Sequence, residues 1–247
     1  MRDQTDVLGI KIDIVTMDRA VRVAKRFIDK SKRPRIICTP NPEIIMLAQQ
    51  NRMLKNILNK ADMVVPDGIG VVIASRILNQ KPLPERVAGY DLVQNLMKLE
   101  GNKFYFLGAE KNIVKMAANK MQKKYPIKVV GYRDGYFKAE QTKDIVNEIN
   151  SSGANILLVA LGAPKQEIWI SENIDNLPNI KIVVGVGGSF DVMAGKVKRA
   201  PKMFRSLGLE WFYRLITQPT RAKRMLVLPK FLIKVIVKKV KLISGII

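Results

Sequence analysis

The sequence predicts an α/β protein with a mostly parallel, Rossmann-like three-layer sheet, followed by a basic helical appendage. Three observations predict it. Short apolar runs, glycine or proline turns and stretches apolar at helical spacing recur in that order about six times, as in a parallel sheet covered by helices. Residues 155–161 (NILLVAL) are an almost unbroken apolar run, which suits a strand buried on both faces. Past Gly195 the alternation stops, and residues 196–247 carry fourteen Lys or Arg against one acid, Glu210. The expected division is an α/β domain at 1–195 and the basic helical appendage at 196–247.

The elements follow in order. Residues 8–15 (LGIKIDIV) largely alternate apolar and polar side chains, the pattern of an edge or half-buried strand. Asp18 can cap a helix in which Ala20, Val21, Val23, Ala24 and Phe27 share a face. A strand at 35–38 stops at Thr39-Pro40-Asn41-Pro42, where two prolines stiffen the backbone and forbid regular helix. One helix is expected over 43–60, burying Ile44, Leu47, Ala48, Leu54, Ile57 and Leu58. Met63, Val64 and Val65 read as a short strand ended by Pro66; Asp67-Gly68 then turns the chain into a helix over 69–78. A proline-containing loop around Arg86 leads to a helix from Asp91. Further strands are expected at 103–107, 127–130 and 180–186, and further helices at 110–124, 141–149 and 165–174.

Composition removes several classes of chemistry. The 247 residues include no histidine, so imidazole bases, Ser-His and Cys-His nucleophiles and histidine metal sites are absent. Acid–base work falls to Asp, Glu, Lys or Tyr. No Asp-x-Asp occurs, and neither a metal site nor a cofactor is expected. Neither a G-x-G-x-x-G nor a Walker sequence occurs, which disfavours NAD enzymes and P-loop NTPases. One cysteine, Cys38, forms no internal disulfide and fits a reducing compartment. The first residues lack the basic-then-apolar order of a signal peptide. The expected location is cytoplasmic, peripheral on the inner face of the membrane. The net charge of +22 implies a polyanionic partner: nucleic acid, an anionic membrane or a phosphorylated substrate.

Candidate site residues gather at strand exits, which in a parallel sheet lie along one edge, where ligands bind. These are Thr39-Pro40-Asn41, Asp67-Gly68, Gly108, Gly162-Ala163-Pro164-Lys165-Gln166 and Gly187-Gly188-Ser189-Phe190-Asp191. A Gly187-Gly188 turn lets backbone amides approach a phosphate, and Asp191 can accept from ribose hydroxyls. The exit after 127–130, GYRDGYF, adds Tyr136. Taken alone, Asp67 has two readings, a turn former or helix cap and a functional carboxylate. Gln166 is an uncharged amide able to hold a hydroxyl or phosphate oxygen, whereas Glu167 reads as a solvated first-turn acid.

The appendage carries Arg214, Arg221 and Arg224, then PKFLIKVIVKKVKLISGII at 229–247. On a helical wheel Lys230, Lys234, Lys238 and Lys241 share a narrow sector, and apolar residues cover most of the remainder. Such a helix suits a membrane interface, apolar arc down and lysines toward anionic headgroups; the other reading is a helix docked on the protein's own core or on a subunit. The upstream arginines stand where they can clamp a diphosphate. Nucleic acid is disfavoured, because the last helix interleaves its lysines with Ile, Val and Leu and not with aromatics that stack on bases.

In order, the stretches TPNPEII (39–45), ADMVVPDGIG (61–70), RVAGYDL (86–92), FLGA (106–109), GYRDGYF (131–137), LGAPKQEIWI (161–170), GVGGSFDVMAG (185–195), RAP (199–201) and GLEWFYRL (208–215) resemble the WecG/TagA/CpsF glycosyltransferase family, and most closely its TagA type. The resemblance implies an inverting, metal-independent transfer from a UDP-sugar donor to a polyprenyl-diphosphate-linked sugar acceptor. In the TagA type, N-acetylmannosamine goes from UDP-ManNAc to undecaprenyl-diphosphate-GlcNAc in teichoic acid synthesis; other members use donors such as UDP-ManNAcA. It implies Asp67 as general base, Thr39 and Asn41 positioning sugar or acceptor, and Gln166 near the sugar or diphosphate. Gly187 to Asp191 would hold UDP, with Arg86, Arg214, Arg221 and Arg224 on the phosphates and Gly108, Tyr136 and Gly162 as further substrate contacts. The partners implied are the two substrates and an anionic membrane, with a homo-oligomer compatible. Outside the enzyme class, the competing reading is a non-catalytic UDP-sugar- or nucleic-acid-binding protein.

Overall fold

Alternate residues of the inner strands point to opposite sides and are buried on both, which fixes the layers. On the strand Lys103–Gly108, Phe104 and Phe106 enter one apolar cluster while Tyr105 and Leu107 enter another. The strand Ile156–Ala160 divides in the same way, with Ile156 and Leu158 opposite Leu157 and Val159. Each fully buried Leu, Ile or Phe contributes about 1.5–3 kcal/mol. This two-sided burial is what holds the central sheet rigid behind the site.

A computed structural model describes residues 2–78, 81–217 and 227–245. It opens with an antiparallel hairpin, β1 (Gln4–Val7) and β2 (Ile10–Asp13). The single strand expected at 8–15 is therefore replaced by a turn and its second arm. Leu8 and Gly9 take positive φ (54° and 81°) and reverse the chain, a signal hidden inside an apparently alternating run. Six parallel strands follow, β3 (Arg35–Cys38), β4 (Met63–Val64), β5 (Lys103–Gly108), β6 (Lys128–Arg133), β7 (Ile156–Ala160) and β8 (Ile182–Gly185). Their order across the sheet is β4-β3-β8-β7-β5-β6. The α/β class and the parallel sheet agree with the sequence reading.

Helices α1 (Met17–Lys30), α2 (Pro42–Gln50), α3 (Arg52–Lys60), α4 (Ile69–Ile77), α5 (Gly89–Leu96), α6 (Lys111–Lys124), α7 (Thr142–Ser151), α8 (Lys165–Asn173) and α9 (Ser189–Ala194) surround the sheet. The one helix expected over 43–60 is two. Asn51 leaves helical geometry (φ −125°, ψ 99°) and caps α3 by accepting from the Leu54 N–H at 2.9 Å. α5 starts two residues earlier than expected, at Gly89, and that shift matters for the site.

After Gly195 come α10 (Lys202–Ser206), α11 (Glu210–Thr217) and α12 (Val227–Ile243). α12 packs on α2 and α4. Its Phe231 and Val235 are fully buried in the cluster that includes Ile45, Val71 and Val72. Lys238 reaches Asp6 of β1 at 2.6 Å. No helix among the described residues is long and apolar enough to cross a membrane.

Candidate active site

The carboxyl ends of β3, β4, β7 and β8 open into one cavity of about 330 Å³. Thr39, Asn41, Asp67, Arg86, Gly162, Gln166, Gly187, Gly188 and Asp191 all line it, so the topology brings together most of the residues singled out in the sequence. This is the ligand edge of an open α/β sheet. Gly108 and Tyr136 do not line it. Gly108 (φ 124°) is required by packing, since a Cβ there would fall 2.4 Å from the Ala160 carbonyl oxygen. Tyr136 is exposed on the loop after β6. Arg214 lies on α11, while Arg221 and Arg224 lie outside the described residues.

Asp67 sits just past β4, on a turn whose Gly68 has φ 100°. The Gly89 N–H, first in α5, donates to Asp67 Oδ2 at 3.1 Å, and the Asp67 N–H donates to the Pro40 carbonyl at 3.3 Å. The carboxylate is thus aimed by a helix start on one side and the stiff Pro loop on the other. Gly89 permits this closeness: a Cβ there would lie 2.7 Å from Thr39 Oγ1. Thr39, Asp67 and Gly89 form one compact group at the cavity wall. Asn41 has a structural duty too, capping α2 by accepting from the Ile44 N–H at 3.0 Å.

Gln166 is buried, and both ends of its amide are engaged. Oε1 accepts from the Gly187 N–H at 3.0 Å, and Nε2 donates to Glu167 Oε1 at 2.7 Å. Glu167, expected to be a solvated first-turn acid, is instead 5% exposed, because α8 turns this position inward beneath the β8 exit. Burial pushes its carboxyl up, against hydrogen bonds from Gln166 and its own backbone N–H. Cys38, at the end of β3, is also pushed up, first by burial and then by the Glu167 and Asp62 charges, which leaves it an inert thiol.

The remaining wall comes from the chain past Gly195. Arg199 and Asp91 form a two-pronged ion pair at 2.6 and 2.7 Å, with the guanidinium 4.5 Å from the Tyr90 ring centre. Burial raises the Asp91 carboxyl, but the Arg199 hydrogen bonds and the Arg199, Arg205 and Arg86 charges more than offset it, so the net shift is downward. Arg86 Nη1 meets Glu210 of α11 at 3.3 Å, both side chains largely buried. Trp211 and Leu228 line the same cavity.

Residues 5–244 match the model of the Glycosyl transferase WecG/TagA/CpsF family. The chain belongs to this family. An N-acetylglucosaminyldiphosphoundecaprenol N-acetyl-beta-D-mannosaminyltransferase of Bacillus spizizenii is 40% identical over 214 residues, 85% of this chain and 81% of the relative. The protein of that name from Bacillus subtilis (strain 168) is 40% identical over 216 residues, 86% of this chain and 82% of the relative. The WecG/TagA/CpsF assignment makes the chain a glycosyltransferase, and the cavity at the sheet edge is its candidate active site.

Several lining residues of this glycosyltransferase were not singled out from sequence: Glu43, Tyr90, Arg199, Glu210 and Trp211. Four of them sit inside stretches that carry the family likeness (RVAGYDL, RAP and GLEWFYRL), and Glu43 lies in TPNPEII. The available signal was position within those motifs. What was missing was the pairing of Arg199 with Asp91, 108 residues apart in the chain.

Proposed function

We propose that this glycosyltransferase moves N-acetylmannosamine from UDP-ManNAc to undecaprenyl-diphosphate-linked GlcNAc, with inversion and without a metal, in teichoic acid linkage-unit synthesis. The names of the two Bacillus relatives support the transferred sugar and the acceptor. The observation that carries the mechanism is Asp67, a carboxylate held by the Gly89 N–H in the cavity wall of a chain without histidine. Asp67 takes the proton of the acceptor hydroxyl as its oxygen bonds to the anomeric carbon. The bond from that carbon to the diphosphate breaks on the opposite face, and UDP leaves with the electron pair.

Thr39 and Asn41 position sugar or acceptor, Gly187 to Asp191 receive UDP, and Gln166 stands between the two. Arg86, Arg214, Arg221 and Arg224 offset the charge on the leaving diphosphate, the task a metal performs in other sugar-nucleotide enzymes. Arg86 is shared with Glu210, so α11 and the diphosphate draw on the same guanidinium.

The appendage (196–247) brings the site to its lipid acceptor. α12 docks through Phe231 and Val235, yet Ile233, Ile236, Val237, Val240 and Ile243 remain exposed on a separate stripe. By helical geometry Lys230, Lys234 and Lys241 border that stripe, the arrangement that suits a peripheral position on the anionic inner face of the membrane. Docking and membrane contact thus use different faces of one helix, and the two readings of this helix stand together.

A screen of UDP-sugars with a soluble lipid-diphosphate-GlcNAc acceptor, following UDP release, tests the reading. UDP-ManNAc is expected to give the fastest release. Release with UDP-ManNAcA alone would reassign the donor. No release with any sugar nucleotide would replace the enzyme reading by a binding protein.

A further inference from the structure

Glu167 is a buried carboxyl with one of its two oxygens unpaired. Oε1 accepts from Gln166, but Oε2 is buried without a hydrogen-bond partner. An unpaired buried polar atom of this kind costs about 1–3 kcal/mol. Stability alone gives no reason for an acid at this position.

The neighbouring amide gives one. The two ends of the Gln166 amide have nearly the same shape but opposite hydrogen-bonding sense. The Gly187 N–H needs an acceptor, and Glu167 Oε1 offers only one. An acceptor at the far end admits the NH2 group there and forces the amide oxygen toward Gly187. Gly185 leaves room for this arrangement, because a Cβ on it would fall 2.7 Å from Gln166 Nε2. Gly187 itself has φ +49°, and nothing lies within 4 Å of where its Cβ would be. The Ser189 N–H and hydroxyl close the turn on the Val186 carbonyl at 3.1 and 2.6 Å, and the hydrogen bond to Gln166 is what ties the Gly187 N–H to α8.

We propose that Glu167 is a positioning residue, which orients the Gln166 amide so that the amide sets the Gly187-Gly188 turn for the donor's diphosphate. The role rests on the UDP-sugar reading given above. Glu167 touches no substrate; its effect passes through one side chain.

Calorimetric UDP binding and thermal unfolding of the full chain test this. Wild type is compared with Glu167→Leu, Glu167→Gln, Gln166→Ala and the Gln166→Ala/Glu167→Leu double variant. Glu167→Leu is expected to weaken UDP binding about tenfold while its unfolding midpoint stays nearly level, because losing the orphaned Oε2 offsets leaving Gln166 Nε2 without its acceptor. Glu167→Gln still offers an oxygen to Gln166 and is expected to keep affinity within about threefold. The double variant is expected to bind no more weakly than Gln166→Ala alone, as two residues acting in series do. Unchanged affinity in Glu167→Leu, a midpoint that falls together with affinity, or additive losses would each overturn the proposal. A wild type that binds no UDP overturns the donor reading first and takes this role with it, an outcome separable from the others because it precedes any substitution.

Discussion

The cavity has two kinds of wall. The sheet-edge wall, with Thr39, Asp67, Gln166 and Gly187, is held by bonds between side chains and backbone N–H groups a few ångströms from buried strands. The wall contributed past Gly195 is tied back to the body by the ion pairs Arg199–Asp91, Arg86–Glu210 and, further along, Lys238–Asp6, with Phe231 and Val235 of α12 seated in the core behind it. Backbone donors fixed by a sheet have little freedom, so they hold a carboxylate at a set angle. Ion pairs between long side chains tolerate movement and weaken with salt wherever they meet solvent. The first wall therefore suits chemistry that needs one geometry. On the function proposed above, the second suits a cover that admits a lipid-linked acceptor and releases a nucleotide.

Breaking the rigid wall should cost most. Asp67→Asn keeps the shape and can still accept from Gly89, so UDP binding is expected to persist while turnover falls by about 10²–10⁴. Steady-state rates beside UDP affinity check it, and full activity would remove Asp67 from the mechanism.

The pair that ties the second wall to α5 comes next. Arg199→Ala leaves Asp91 half-buried without its partner and is expected to cost about 2 kcal/mol in urea unfolding, less than a fully buried pair because Asp91 keeps 30% side-chain exposure. The Asp91 carboxyl is held below its ordinary value of 3.8, so the pair's contribution is complete above that pH and disappears as pH falls through the lower folded value. The gap between wild type and Arg199→Ala should therefore narrow in acid. A gap that widens would refute the assignment.

Smaller effects belong to the outer face of α12. Replacing Ile233, Ile236 and Val240 together by Ser leaves Phe231 and Val235 seated. Turnover on an acceptor in anionic vesicles is expected to fall about tenfold, with a soluble acceptor used as before. Equal losses on both acceptors would assign the stripe to folding. Smallest of all, Lys238→Ala should cost about 0.5–1 kcal/mol, and less at high salt, since both partners are roughly a third exposed.

The parallel sheet and the strand-exit cavity were legible in the linear chain because both follow from local pattern. Apolar runs of strand length, glycine and proline at their exits and helical spacing between them leave few topologies, and topology alone brings Thr39, Asp67, Gln166 and Gly187 to one edge. The hairpin at Leu8-Gly9 and the break at Asn51 escaped that pattern, since each turns on one or two backbone angles inside an otherwise regular run.

The rest belongs to tertiary packing. Glu167 looks like any solvated first-turn acid until α8 rolls it beneath Gly187, and Arg199 is one of many basic residues until the fold delivers it to Asp91. Whether α12 binds lipid or its own core could not be divided by periodicity, because its apolar arc is wide enough for both; three-dimensional contact assigns Phe231 and Val235 to the core and leaves the adjacent stripe uncovered. Residue type and spacing determine which groups can reach the sheet edge. Which of them face substrate and which only steady a neighbour depends on partners a hundred residues away, and those exist only once the chain has closed on itself.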